Sequence, residues 1–408
     1  MAERRPLPRT FLSLQHRDFR YLWTSTFFTS GGQWVQQVTV GWLVWDLSQS
    51  PFLVGLVGGL RTIPFLLVGP IAGVWADRYD RKRLLIGVEV AMGGAALLFG
   101  AIVFLKWVQV WHTALYMLFQ GSAWAIMAPL RQSLVANTVP RSSLTNGIAL
   151  QSLAFNVTRA IGPAVGGALI VAVGLAFNFL VQAVAYLVTA LLVLPMGTPY
   201  RERSAARPHS VREGLQEGVQ YVRGDRTLQV LIATAFIPSL FIMPAIQLMP
   251  VFTAQSLGKG PETLGLLLAS FGIGAVVGAF ALAMLGPGGR RGLATLLLLM
   301  GATLSLFLLS QAPWARLAVV AAVLVGLGDM GFRVTNNSLV QGLVPDALRG
   351  RVMSLYMMEF GFVSVASLSW GLVAQRLGIS PGLALMAILG TGLVLLFLLR
   401  ARRLRALA

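Results

Sequence analysis

Residues Gly73–Arg83 read GVWADRYDRKR, with six charges in the seven positions from Asp77 to Arg83. Apolar runs lie on both sides, near 52–76 and 84–105, in a 408-residue chain that is 56% hydrophobic and only 11% charged. A water-soluble surface takes roughly a quarter of a chain's residues as charged ones. This chain falls well short of that, and its mean hydropathy is +0.75. It belongs in a bilayer, where a dense charged stretch between apolar runs marks a loop held on one side.

A spanning helix needs about 20 mostly apolar residues. Twelve runs qualify, near 21–46, 52–76, 84–105, 112–136, 147–174, 176–195, 228–253, 263–286, 292–310, 315–340, 352–377 and 381–400. An even number puts both termini on one side. The basic residues say which side. Arg4, Arg5, Arg9, Arg17 and Arg20 precede the first run, and Arg400, Arg402, Arg403 and Arg405 follow the last. Most other basic residues fall on the even-numbered connections, including Arg78–Arg83, Arg131, Arg141, Arg290, Arg291, Arg333, Arg349 and Arg351. The odd-numbered connections hold Lys106, Lys259, Arg316 and Arg376. Both termini and GVWADRYDRKR are therefore expected in the cytoplasm, with the chain multi-pass in the cytoplasmic (inner) membrane. The polar, Arg-rich N-terminus lacks the apolar core of a cleavable leader.

The net charge of +18 does not indicate nucleic acid, because the arginines cap apolar runs and do not share one face. There is no Cys, and His16, His112 and His209 form no cluster, so no metal and no cofactor is expected. No phosphate-binding loop G-x-x-x-x-G-K-[ST] occurs, which argues against an ATP-driven pump.

The chain also repeats itself. RQSLVANTVPRSSLTNGIAL from Arg131 and NNSLVQGLVPDALRGRVMSL from Asn336 align at a shift of 205 residues. Ser133, Leu134, Val135, Val139, Pro140 and Leu150 match Ser338, Leu339, Val340, Val344, Pro345 and Leu355, and Gly166 matches Gly371. The expected organisation is an N-terminal six-helix bundle over 1–195, a cytoplasmic linker over 196–227 and a C-terminal six-helix bundle over 228–408. Within the linker, Val211, Leu215, Val219 and Val222 recur at helical spacing, predicting a short amphipathic helix. Repeats of this kind place substrate between rocking halves.

Gly73-x-x-x-Asp77-Arg78-x-x-Arg81-Lys82-Arg83 resembles the loop after the second helix in the major facilitator superfamily. Trp34–Val44 with Ser50-Pro51, and Asn156–Gly167, look like its enterobactin-exporter and macrolide-efflux-like branch. The resemblance implies an all-α integral membrane protein with twelve transmembrane helices in two pseudo-symmetric bundles, a transporter and not an enzyme. It also implies a gating latch at Gly73, Asp77, Arg78 and Arg81, and close helix packing at Gly162, Pro163, Gly166 and Gly167. Two positions depart from the pattern of proton-coupled drug exporters. Thr158 stands where a glycine is usual, and Met117 where the fourth helix usually carries an arginine ahead of Gln120-Gly121.

Charges inside spans are costly and mark function. Asp329, Glu359 and Glu89 are the proton-coupling candidates, since a carboxylate in a low-dielectric interior can take a proton near neutral pH. Asp329 also stands four residues from Arg333, the spacing of a structural ion pair, and Glu89 suits a brace for the Arg-rich loop. Gln33 and Gln37, one turn apart, with Arg61, Arg159 and Asn336, are the substrate-cavity candidates. Central arginines suit an anionic or acidic-hydroxyl substrate such as a catecholate, though each could instead pair within the protein.

The combined reading is a secondary active exporter of an amphipathic drug-like or siderophore-like molecule, acting by alternating access with proton antiport. The alternative is an importer or lysolipid flippase on the same fold. The expected partners are small-molecule substrate, proton and lipid bilayer, with a monomeric chain. Asp77→Asn is expected to abolish transport while leaving membrane insertion and monodisperse elution intact. Normal turnover in that variant would remove the latch assignment.

Overall fold

The computed structural model describes residues 9–68, 79–197, 211–285 and 290–405, with Leu407. Gly73, Asp77 and Arg78 lie outside the described residues; Arg81 opens a helix. All regular secondary structure among the described residues is helical. In hydrocarbon a backbone amide has no water to bond, so only structures that satisfy it internally can span.

The helices in chain order are α1 (Arg17–Ser48), α2 (Pro51–Leu60), α3 (Ile63–Leu67), α4 (Arg81–Phe104), α5 (Val110–Thr138), α6 (Leu144–Val173) and α7 (Leu175–Val193). They continue with α8 (Val211–Gly224), α9 (Arg226–Ile237), α10 (Met243–Gln247), α11 (Met249–Gln255), α12 (Pro261–Leu285) and α13 (Arg291–Ser310). The last are α14 (Ala315–Leu343), α15 (Asp346–Met357), α16 (Glu359–Leu377) and α17 (Ile379–Arg400), before a final turn at Arg402–Arg405. Among the described residues, nine helical segments are long and apolar enough to cross a membrane.

Contacts divide the chain into two compact units, 1–40 with 64–205, and 41–63 with 206–408. In the first, Phe19 and Leu22 of α1, Leu85 and Met92 of α4, Met127 and Leu134 of α5, and Tyr186 and Val193 of α7 form a buried core. Gly162 and Gly166 of α6 face Trp34 and Val35 of α1, and Pro163 and Gly167 are buried beside them. A Cβ at Gly162 would lie 2.6 Å from that of Trp34.

In the second unit, Leu228, Leu231, Leu296, Val340, Val352 and Tyr356 belong to one buried core. Bare backbones let α12 and α14 approach each other. A Cβ on Gly274 would strike the Val323 carbonyl, and one on Gly326 the Phe271 carbonyl. Residues 51–60 join this unit because α2 packs on α16, with Gly55 against the Ser367 carbonyl and Gly59 against Ser364. The predicted linker helix is α8; its Gly218 packs on the Arg351 carbonyl of α15 and its Glu217 pairs with Arg351.

The repeat is visible in the backbone. α5 and α14 both have 29 residues and start and stop at the same 205-residue shift. Each ends at a valine forced extended by the proline after it: Val139 at φ −132°, ψ 151°, and Val344 at φ −99°, ψ 127°.

Three predicted spans are not single helices. The run at 52–76 breaks between α2 and α3, at Arg61 and Thr62. Pro64 has no N–H for the Leu60 carbonyl, and Thr62 instead bonds the Gly59 carbonyl through both its amide and its hydroxyl. The run at 228–253 carries Pro238, Pro244 and Pro250, and falls into α9, a five-residue π-helix (Pro238–Ile242), α10 and α11. The run at 352–377 is interrupted at Met358, whose φ −61° and ψ −20° are those of a 3₁₀ turn.

Valine at Gly274 or at Gly326 is expected to lower thermal stability by about 1–3 kcal/mol, because overpacking pushes α12 and α14 apart. Alanine at Gly301, where nothing lies within 4 Å of an added Cβ, is expected to be neutral or better. Thermal unfolding in detergent reads the difference.

Candidate functional site

Each unit buries a charged cluster, and the two clusters differ in composition. In the first, Glu89 on α4 is fully buried and Arg131 on α5 nearly so. Arg131 Nη2 lies 2.8 Å from Glu89 Oε1 and donates to Thr29 Oγ1 at 2.7 Å. Nη1 donates to the hydroxyls of Ser25 and Thr26 at 3.1 Å each. Thr29 in turn donates to Glu89 Oε1 at 2.8 Å. One carboxylate meets one guanidinium, and three hydroxyls from α1 bond to the pair, while Glu89 Oε2 and Arg131 Nε find no hydrogen-bond partner among the described residues. The pairing and the hydroxyl bonds reduce the cost of burying both charges.

In the second unit, α14 carries Asp329 and Arg333 one turn apart. Arg333 Nε donates to Asp329 Oδ1 at 3.1 Å and Oδ2 at 3.3 Å, and Nη1 donates to Glu359 Oε1 at 3.0 Å. The guanidinium also sits 5.6 Å from the Phe360 ring centre. Ser239 donates to Glu359 Oε2 at 2.7 Å. The two backbone irregularities make these contacts: the π turn holds Ser239, and the break at Met358 places Glu359 at the start of α16. Two carboxylates, both buried, share one guanidinium. The cluster has one negative charge too many for its cation.

Asn336, one turn along α14, is fully buried and donates to the Leu231 carbonyl at 3.1 Å and the Tyr356 hydroxyl at 3.4 Å. Those bonds tie α14 to α9 and α15 inside the unit.

A third group sits on α1 and α6. The Arg159 guanidinium lies 5.6 Å from the Trp34 ring centre, and Trp34 is 5.7 Å from the ring of Phe155. Gln33 and Gln36 of α1 are buried with amide nitrogens that find no hydrogen-bond partner among the described residues. Gln37 is half-buried on the same helix. Arg61 belongs to the second unit, at the α2–α3 break.

Two arginines assigned to connections from the sequence, Arg131 and Arg333, lie inside α5 and α14 and are buried or half-buried. They serve as counter-ions and not as topology signals. Arg131 could have been placed from the Val139-Pro140 stop, which leaves it two turns inside the helix. Ser239 and Thr29 gave no signal in sequence, because hydroxyls are unremarkable in spans. The helix that carries Met117 where an arginine is usual thus carries its arginine at Arg131, engaged by Glu89.

A family model described as "transmembrane secretion effector" matches residues 9–407. The staphyloferrin A transporter of Staphylococcus aureus is 25% identical, over 95% of this chain and 97% of that protein. The enterobactin exporter of Shigella boydii is 26% identical, over 96% and 94%. Macrolide efflux protein A of Streptococcus pyogenes is 22% identical, over 85% and 86%. Among solved structures, the nucleoside transporter NupG superposes with a TM-score of 0.75 at 13% identity, over 94% of this chain and 99% of that one. A bacterial homologue of the lysosomal transporter Spinster gives 0.71 at 16% identity, over 98% and 96%.

Arg131→Leu strands Glu89 as a buried charge and is expected to cost about 3–5 kcal/mol of stability. The double variant Glu89→Leu/Arg131→Leu is expected to recover most of it, because the pair leaves together. A thermal-unfolding double-mutant cycle measures the coupling; purely additive losses would show that the pair is not the stabilising unit.

Proposed function

The chain belongs to the transmembrane secretion effector family of major facilitator transporters, and we propose that it exports an amphipathic small molecule from the cytoplasm in exchange for protons. On this reading twelve spans form two six-helix bundles, 1–195 and 228–408, joined by the 196–227 linker with both termini cytoplasmic. Alternating access carries the substrate across.

The observation that carries the coupling is the surplus carboxylate beside Arg333. Burying net charge is costly, and a proton on Glu359 removes that cost. Asp329 holds Arg333 through both carboxylate oxygens. Glu359 is held by one guanidinium nitrogen and the Ser239 hydroxyl. Glu359 is therefore the proton carrier, Asp329 the fixed counter-ion and Ser239 the residue that orients the carboxyl. Protonation frees Arg333 from Glu359, and loss of the proton draws α14 and α16 together again. Glu89 has a guanidinium to itself and is not the carrier on this reading.

Arg159, stacked on Trp34 beside Phe155, offers a cation and aromatic faces to the substrate. That combination favours a planar molecule with anionic or acidic hydroxyl groups, in keeping with relatives named for siderophores. Export follows the relatives named for efflux and export.

Purified protein in liposomes with an internal pH dye tests this. A catecholate siderophore or a macrolide is expected to drive proton movement under an imposed pH gradient. Glu359→Gln and Asp329→Asn each balance the cluster, and are expected to abolish substrate-driven proton movement while substrate exchange at equal pH persists. Glu89→Gln is expected to keep the coupling. Retained proton movement in Glu359→Gln would remove the assignment.

A further inference from the structure

The second unit also carries a basic cavity whose lining includes none of Asp329, Arg333 or Glu359. The first turn of α9, the last turn of α17 and the turn at Arg402–Arg405 enclose a cavity of about 460 Å³. Arg226, Arg400 and Arg403 are among its lining residues, and Val230, Leu396 and Phe397 supply an apolar wall. All three arginines are exposed, and no ion pair occupies any of them among the described residues.

Its depth in the bilayer can be read from the flanking residues. Leu395, Leu396 and Leu399 are exposed along α17 and are suited only to lipid. Arg400 follows directly, so the cavity lies at the boundary between hydrocarbon and headgroups. Asp225 caps α9 by accepting from Thr227 N at 2.7 Å and Leu228 N at 3.3 Å. Two of the first N–H groups of α9 are thus already engaged, which leaves the arginine side chains as the main holders of an anion there. Converging guanidiniums bind phosphate well. An apolar wall that runs from them into the hydrocarbon fits an acyl chain.

We propose that this cavity binds an anionic phospholipid, with its phosphate among Arg226, Arg400 and Arg403 and an acyl chain along Val230, Leu396 and Phe397. The bound lipid ties the last span to α9, across the two chain segments that meet there.

The test uses the full chain, purified in detergent and delipidated. Phosphatidylglycerol is expected to raise the thermal midpoint, and native mass spectrometry to show it retained. The double variant Arg400→Gln/Arg403→Gln is expected to weaken retention roughly twenty-five-fold, at about fivefold per arginine. Phosphatidylcholine and inorganic phosphate are expected to give no shift. Ala401→Trp, which fills the cavity and keeps its charge, is expected to lose retention as well. An unchanged response in the arginine double variant places the lipid elsewhere and overturns the proposal. So does an equal shift from phosphatidylcholine, which removes the role of charge. A shift reproduced by inorganic phosphate alone overturns the lipid in favour of a free anion.

Discussion

A backbone amide in hydrocarbon has no water to bond, and most of this chain's architecture answers to that constraint. It makes every described element helical. Where helices break, other bonds form close by: Thr62 bonds the Gly59 carbonyl through its amide and hydroxyl, and Met243 N donates to the Pro238 carbonyl in the π turn. It also removes the usual force between helices, since lipid is as apolar as a leucine side chain. Glycines that bring backbones into contact, such as Gly274 and Gly326, then do the work of association.

The same constraint applies to side chains, and here the two units diverge. Their backbones repeat closely, with α5 and α14 matched in length and stop signal. Their chemistry does not repeat. The repeat sets Arg131 opposite Asn336, Arg333 opposite Ala128 and Glu359 opposite Ala154. The first unit holds a balanced pair packed in hydroxyls; the second holds two acids on one cation. A shared backbone thus carries one acid per cation in the first unit and two acids per cation in the second.

Much of this was legible in the chain. Apolar runs gave the segments, and Val-Pro gave the stop after α5 and α14, because proline restricts the residue before it whatever the surroundings. Asp329 and Arg333 could be paired from spacing alone, as one helical turn fixes their distance. Partnerships between helices could not be read, since Glu89 with Arg131 and Arg333 with Glu359 depend on which faces meet. Hydropathy treats a broken span like a straight one, so the interruptions at Arg61, Pro238 and Met358 were hidden. Those interruptions carry Arg61, Ser239 and Glu359, so much of what the sequence left unread lies in the candidate sites.

The π turn at Pro238–Ile242 has a consequence for how the chain tolerates insertion and deletion. A π turn holds one residue more than an α turn, so it is an insertion already absorbed by the helix. Removing one residue there would restore a plain helix and leave the rest of the backbone intact. It would also rotate Ser239 away from Glu359 by the angle of one residue. A reading-frame-preserving deletion at this place would then yield a folded, inserted chain that has lost the hydroxyl from its surplus carboxylate. Gaps of a single residue among relatives at this turn would mark a change in the surroundings of Glu359 and not a change in fold.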